Sequence, residues 1–132
     1  MNAVEQQTAA DVLAPYQSLI ESALQYCGGT HIYEDIVQAV ELEQMMFWRG
    51  ENSCIVTEVA DFPRKRVLHV FLAAGDLSEL KEMEPSLQFF AKALECDAIT
   101  LSGRSGWERS LVSMGYKKIH TTLGKDLDGS EQ

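Results

Sequence analysis

The eight residues Val67–Ala74, Val-Leu-His-Val-Phe-Leu-Ala-Ala, constrain the fold more than any other stretch of this chain. They have one polar member and no regular alternation toward solvent. The run is bounded by Arg64-Lys65-Arg66 on one side and Gly75-Asp76 on the other, so it reads as a strand buried on both faces. Such a strand needs helices above and below it, which implies a three-layer α/β arrangement: a mixed central sheet with helices on both faces. A chain of 132 residues has room for one such domain.

The flanking segments supply the other layers. Asp11 is placed to cap a first helix carrying Leu13, Tyr16, Leu19, Ile20, Ala23 and Leu24, with Pro15 in its first turn and Gly28-Gly29 ending it. Thr30 is placed to cap a second, with Ile32, Ile36, Val37 and Val40 inward. Met45–Trp48 and Ser53–Val59 read as strands around the turn Arg49–Asn52. After Gly75, Asp76-x-x-Glu79 forms a capping box over a long helix that Pro85 should kink or split. Ala98–Leu101 is a short buried strand. Ser105-x-x-Glu108 makes a second capping box over a helix that stops at Gly115, and Tyr116–Leu127 alternates as a last strand. The predicted order is α-α-β-β-β-α-β-α-β over residues 11–127, with loose tails at 1–10 and 128–132.

Charge and cysteine usage exclude several function classes. The net charge is −9, and no basic residue precedes Arg49, whereas Glu5, Asp11, Glu21, Glu34, Asp35, Glu41 and Glu43 all do. A phosphate backbone would be repelled by that front third, so nucleic-acid binding is not expected; the acids read either as a solvated face that serves solubility or as a face that receives a basic protein partner. No stretch approaches eighteen apolar residues and no basic segment opens the chain, so neither a membrane span nor a secretory signal is expected. Cys27, Cys54 and Cys96 are odd in number and lack CxxC spacing. They read as small buried hydrophobes of a cytoplasmic protein. His31, His69 and His120 have no partner at metal-ligand spacing, so no metal site is expected.

Three places could carry chemistry. Glu58 and His69 are candidate general bases, although Glu58 could point to solvent and His69 could be a hydrogen-bonded core residue. The segment Leu72-Ala73-Ala74-Gly75-Asp76-Leu77 runs from a strand through small residues into a helix start, where free amides can hold phosphate or carboxylate. Asp76 and Glu79 would compete there with any anion. Finally, Arg104, Trp107 and Arg109 could present donors beside a stacking surface, or Trp107 could anchor the last helix to the sheet.

This order of elements resembles the GNAT superfamily of N-acetyltransferases over about residues 12–127, without that family's usual first strand. Trp107–Tyr116 is similar to the family's helix that ends in glycine and an aromatic residue. Val56–Val59, Val67–Gly75 and Gly103–Arg109 look like small GNAT-like proteins of tailed phages and prophages. The resemblance implies acetyl-CoA in a splay between Val67–Ala74 and Ala98–Leu101, with Glu58 or His69 deprotonating an amine. Against that, Ala73–Leu80 lacks the family's second pyrophosphate-loop glycine, and Leu111 stands where its proton-donating tyrosine would. The two expectations are a non-catalytic interaction or assembly module, contacting a protein through the acidic helices or through Arg104–Arg109, and an acetyl-CoA-dependent N-acetyltransferase.

Overall fold

A computed structural model describes residues 7–103 and 105–127, Ser105 by its backbone alone. Residues 1–6 of the expected N-terminal tail, the expected tail 128–132 and Arg104 lie outside the described residues. Five helices and four strands follow in the order α1 (Ala9–Leu13), α2 (Gln17–Leu24), α3 (Tyr33–Glu41), β1 (Met46–Arg49), β2 (Cys54–Phe62), β3 (Lys65–Ala74), α4 (Leu77–Ala93), β4 (Ala98–Leu101) and α5 (Ser105–Leu111). The sheet order is β1-β2-β3-β4, antiparallel except for the parallel pair β3–β4. The mixed sheet flanked by helices is therefore the predicted architecture.

β3 explains its own unbroken hydrophobicity. Leu68 and Val70 belong to the core under α4, with Ile55, Leu80, Leu87 and Ala91, whereas Leu72 and Ala74 belong to the core under α1–α3, with Leu13, Ile20, Ile36 and Val56. Residues of one parity can reach opposite faces only if a residue is inserted between them. That residue is Phe71: Thr57 pairs with Val70 and Val56 with Leu72, leaving Phe71 as a bulge packed toward α1–α3.

Several local expectations are corrected. The first helix is broken by a 3-10 turn at Ala14–Tyr16, because Pro15 has no amide to continue the ladder. It begins at Ala9, inside the segment expected to be loose, and its cap is Thr8, with Asp11 reaching back to the Thr8 amide. The α3 cap is supplied by Asp35, whose Oδ2 accepts from the Ile32 amide at 2.9 Å, while Thr30 turns to Cys27 and His31. Pro85 does not split α4, which runs unbroken for 17 residues. Leu80 before the proline and Leu87 and Ala91 after it are all buried on the sheet, so both halves are held in line. Of the cysteines only Cys54 is buried, its thiol pushed up to about 12 by desolvation; Cys27 and Cys96 are half-exposed.

The largest departure is at the C-terminal end. Tyr116–Leu127 makes no ladder with any strand, and Ile119 and Leu123 are left exposed. Alternation alone does not supply a partner edge. Among the described residues, no helix is long and apolar enough to cross a membrane.

Candidate functional site: the β3–β4 splay and the β3–α4 junction

β3 and β4 pair only from Val67–Ala98 to Val70–Leu101. Beyond Val70 β3 continues for four residues, Phe71 to Ala74, without β4 beside it, so the two strands part where the splay was expected. On the α4 side this opening is an apolar slot of about 40 Å³. Leu77 and Trp107 line it, together with Leu111 and Tyr116. A water needs roughly 10–15 Å³ of such space, so the slot holds a few waters and no extended chain.

The junction from β3 into α4 is closed by the protein's own groups. Gly75 has a left-handed φ of +117°, and a Cβ there would collide with the Asn52 carbonyl oxygen and lie 2.6 Å from the Ser53 Cα. The Asp76 amide donates to the buried Ser53 hydroxyl at 2.9 Å, and the Asp76 carboxylate accepts from the Ser78 amide at 3.2 Å, capping α4. Glu79 does not close the predicted capping box. Its carboxylate instead crosses to the β1–β2 turn and accepts from the Glu51 amide at 2.5 Å and the Asn52 amide at 2.9 Å. The Ser53 hydroxyl and these two amides hold the Glu79 carboxyl below the ordinary carboxylate range, so it stays anionic. Tyr16 completes the clasp by donating to the Gly50 carbonyl at 2.7 Å.

These residues do not fit the pyrophosphate of acetyl-CoA. The α4 N-terminus has its cap filled by Asp76, one further amide is taken by Ser53, and a second carboxylate stands a turn away. An incoming phosphate would meet the like charge of both carboxylates.

The opposite face of the splay is polar. Glu58 and His69 face one another across β2–β3, as cross-strand partners. The imidazole is fully engaged: Nδ1 lies 2.8 Å from Thr100 Oγ1 and Nε2 lies 3.3 Å from Ser102 Oγ. Burial pushes His69 below the ordinary imidazole value, and the nearby Glu58 charge opposes that shift only in part. It is therefore a neutral imidazole near pH 7, able to accept a proton.

The sign of this shift sets a pH dependence. As pH falls through about 6.5, the unfolded chain takes the proton at His69 more readily than the folded one. His69 should thus lower stability on acidification below that value. The expected result is that His69→Gln flattens this limb of a denaturation-midpoint against pH profile, leaving the profile above pH 7 unchanged.

Of the third candidate cluster, Arg104 lies outside the described residues. Trp107 is half-buried and packs against the α4-side core near Leu101. Arg109 is exposed on α5. Residues that carried no sequence signal of chemistry are nevertheless central: Ser53, Thr100 and Ser102 are isolated hydroxyls in the chain and become partners only through strand pairing. Tyr116 likewise returns to the slot, donating to Glu84 Oε2 at 2.9 Å, and burial together with that carboxylate pushes the phenol up and keeps it protonated. Among the described residues, no group of three potential metal ligands converges.

No protein-family model matches the chain, and no curated protein does. Solved structures do. A tetramutant of the BH1408 protein from Bacillus halodurans aligns with a TM-score of 0.65 at 14% identity, covering 96% of this chain and all (100%) of that one. A protein described as a probable acetyltransferase aligns at 0.64 and 12% identity, over 100% of both chains. The aminoglycoside acetyltransferase meta-AAC0020 from an uncultured soil metagenomic sample, solved with sisomicin, aligns at 0.56 and 10% identity over 94% of this chain and 95% of its own. The chain therefore has the GNAT-like acetyltransferase fold, a mixed sheet between helical layers.

Proposed function

We propose that this chain uses the acetyltransferase-like fold as a rigid interaction or assembly module, of the phage type its sequence resembles, and does not take acetyl-CoA. The observation that carries this is the clasp between the β1–β2 turn and the α4 N-terminus, in which Asp76 caps the helix, Ser53 takes the Asp76 amide, and the Glu79 carboxylate, held by the Glu51 and Asn52 amides, adds a second negative charge where a pyrophosphate would lie. The narrow slot lined by Leu77 and Trp107 supports the same conclusion. Of the two surfaces considered for a partner, the acidic helices are favoured, because Trp107 is partly taken up in packing against the core.

Titration calorimetry with acetyl-CoA and with CoA tests this. The expected result is no heat and no thermal shift at about 1 mM ligand, where even weak binding to the native state would raise stability. Binding tighter than about 100 μM, roughly 5.5 kcal/mol, overturns it.

A second reading, N-acyl transfer to an amine, is favoured by one specific observation: neutral His69 beside Glu58, at the mouth of the splay. It requires binding in that titration and loss of turnover in His69→Gln or Glu58→Gln. Acetyl-CoA would be its cofactor.

A further inference from the structure

A groove runs between α1, α3 and the start of β1, on the acidic side of the molecule, with a volume of about 380 Å³. Val12, Val40, Met46 and Phe47 give it an apolar floor, and Glu41 and Glu43 stand on its rim. Among the described residues β1 is an edge strand with no strand on its outer side, and the groove lies beside that edge. Glu43 is exposed and holds a left-handed φ of 61°, which sets it at the turn out of α3.

The complementary feature projects past the same end of the sheet, because the start of β1 at Met46 pairs with Thr57 and β2 runs on from there to Phe62. β2 and β3 extend beyond the residues paired with β1 and β4, ending in the hairpin Phe62-Pro63-Arg64-Lys65. Phe62 is 61% exposed at this tip. Arg66 is engaged with Asp61 at 2.7 Å and with the Leu94 carbonyl at 2.9 Å, whereas Arg64 and Lys65 have no ion-pair partner among the described residues. The tip is thus an exposed aromatic ring flanked by two free cations, and the groove is an apolar floor flanked by two carboxylates. They cannot meet within one chain. Phe62 lies five positions along β2 from Thr57, the residue opposite Met46, which is roughly 16 Å of strand locked into the sheet.

From this complementarity we infer that a second copy of the chain occupies the groove: the β2–β3 hairpin tip of one protomer docks between α1, α3 and β1 of the next. Phe62 covers the apolar floor while Arg64 and Lys65 face Glu41 and Glu43. The contact is heterologous, one patch against a different patch, so it propagates head to tail into a ring or an open chain. A single hairpin in a groove is a small interface, so the association is weak and concentration-dependent. Its charges are at the rim and are screened by salt. The inference deepens the assembly reading by naming the occupant. The two fail separately: acetyl-CoA titration decides the reading, and self-association decides the occupant.

Sedimentation velocity of the full chain, with paired charge reversals, tests it. Wild type is expected to gain mass between about 10 μM and 1 mM, the range of weak protein contacts, and to lose it in 0.5 M salt. Glu41→Lys/Glu43→Lys alone, Arg64→Glu/Lys65→Glu alone and Phe62→Ser alone should each weaken association at least tenfold. Mixing the two charge-reversed variants makes both contacts complementary again, wild-type hairpin to wild-type groove and reversed hairpin to reversed groove, and should restore growth in alternating copies, whereas mixing Glu41→Lys/Glu43→Lys with Phe62→Ser leaves one contact and should stop at a 1:1 dimer. Circular dichroism confirms that each variant is folded. A wild type that stays monomeric to 1 mM, folded variants that associate like wild type, or a charge-reversed mixture that stays monomeric each overturns the inference.

Discussion

Gly75→Ala is expected to destabilise the protein by about 3 kcal/mol or more, measured as a shift in urea denaturation midpoint. Two costs add. The position has φ +117°, which an alanine adopts only with strain of order 1–3 kcal/mol. The new Cβ would also press on the Asn52 carbonyl and the Ser53 Cα, both backbone, where overpacking typically costs 1–3 kcal/mol because nothing flexible can yield. The loss should bear directly on the clasp. Ser53 and Asn52 must retreat, and their bonds to Asp76 and Glu79 loosen with them. A substitution of under 1 kcal/mol at this site would mean that the junction is open rather than closed.

Leu68→Ala is expected to cost about 2–5 kcal/mol, the range for a fully enclosed leucine whose cavity cannot collapse. Leu68 has no exposed surface, lies on the central strand β3, and packs in the cluster with Ile55, Val70, Leu80, Leu87 and Ala91. β2 and β4 flank it on either side, paired through Val59 and Ile99, and α4 covers it, so relaxation must move a whole layer. The two effects should be nearly additive, since the bulge at Phe71 separates Leu68 from Gly75 and puts Leu72 and Ala74 into the other core. A Leu68→Ala change below 1 kcal/mol would indicate that this face of the sheet is not the packed interior.

The architecture was legible because β3 announces it. An eight-residue apolar run demands two covering layers, and the amphipathic stripes around Ile20, Ile36 and Leu87 supply them. Helix ends that depend on a single residue were legible too: Gly28 and Gly29 both take φ 78° after α2, and Gly115 takes φ 94° after α5. What the sequence could not show is anything decided by register. Ser53 meets Asp76, and His69 meets both Thr100 and Ser102, only because particular strands lie side by side; none of these pairs is close along the chain. Glu79 illustrates the limit well. Its spacing from Asp76 matches a capping box, yet the amides of Glu51 and Asn52 lie within reach and are otherwise unpaired, so the carboxylate leaves its own helix. The missing last strand has the same origin. Ile119 and Leu123 have the pattern of a strand, but a pattern specifies which face is apolar and not which edge receives it.

The central claim is that the β3–α4 junction is closed by the chain's own groups, and amide hydrogen exchange at Glu51, Asn52 and Ser78 tests it most directly. Their amides are bound to Glu79 and Asp76, so they should exchange slowly in the free protein, and about 1 mM acetyl-CoA should leave their rates unchanged. Exchange of these amides at unprotected rates, or a slowing on addition of acetyl-CoA, would show an open anion-binding junction and contradict the account.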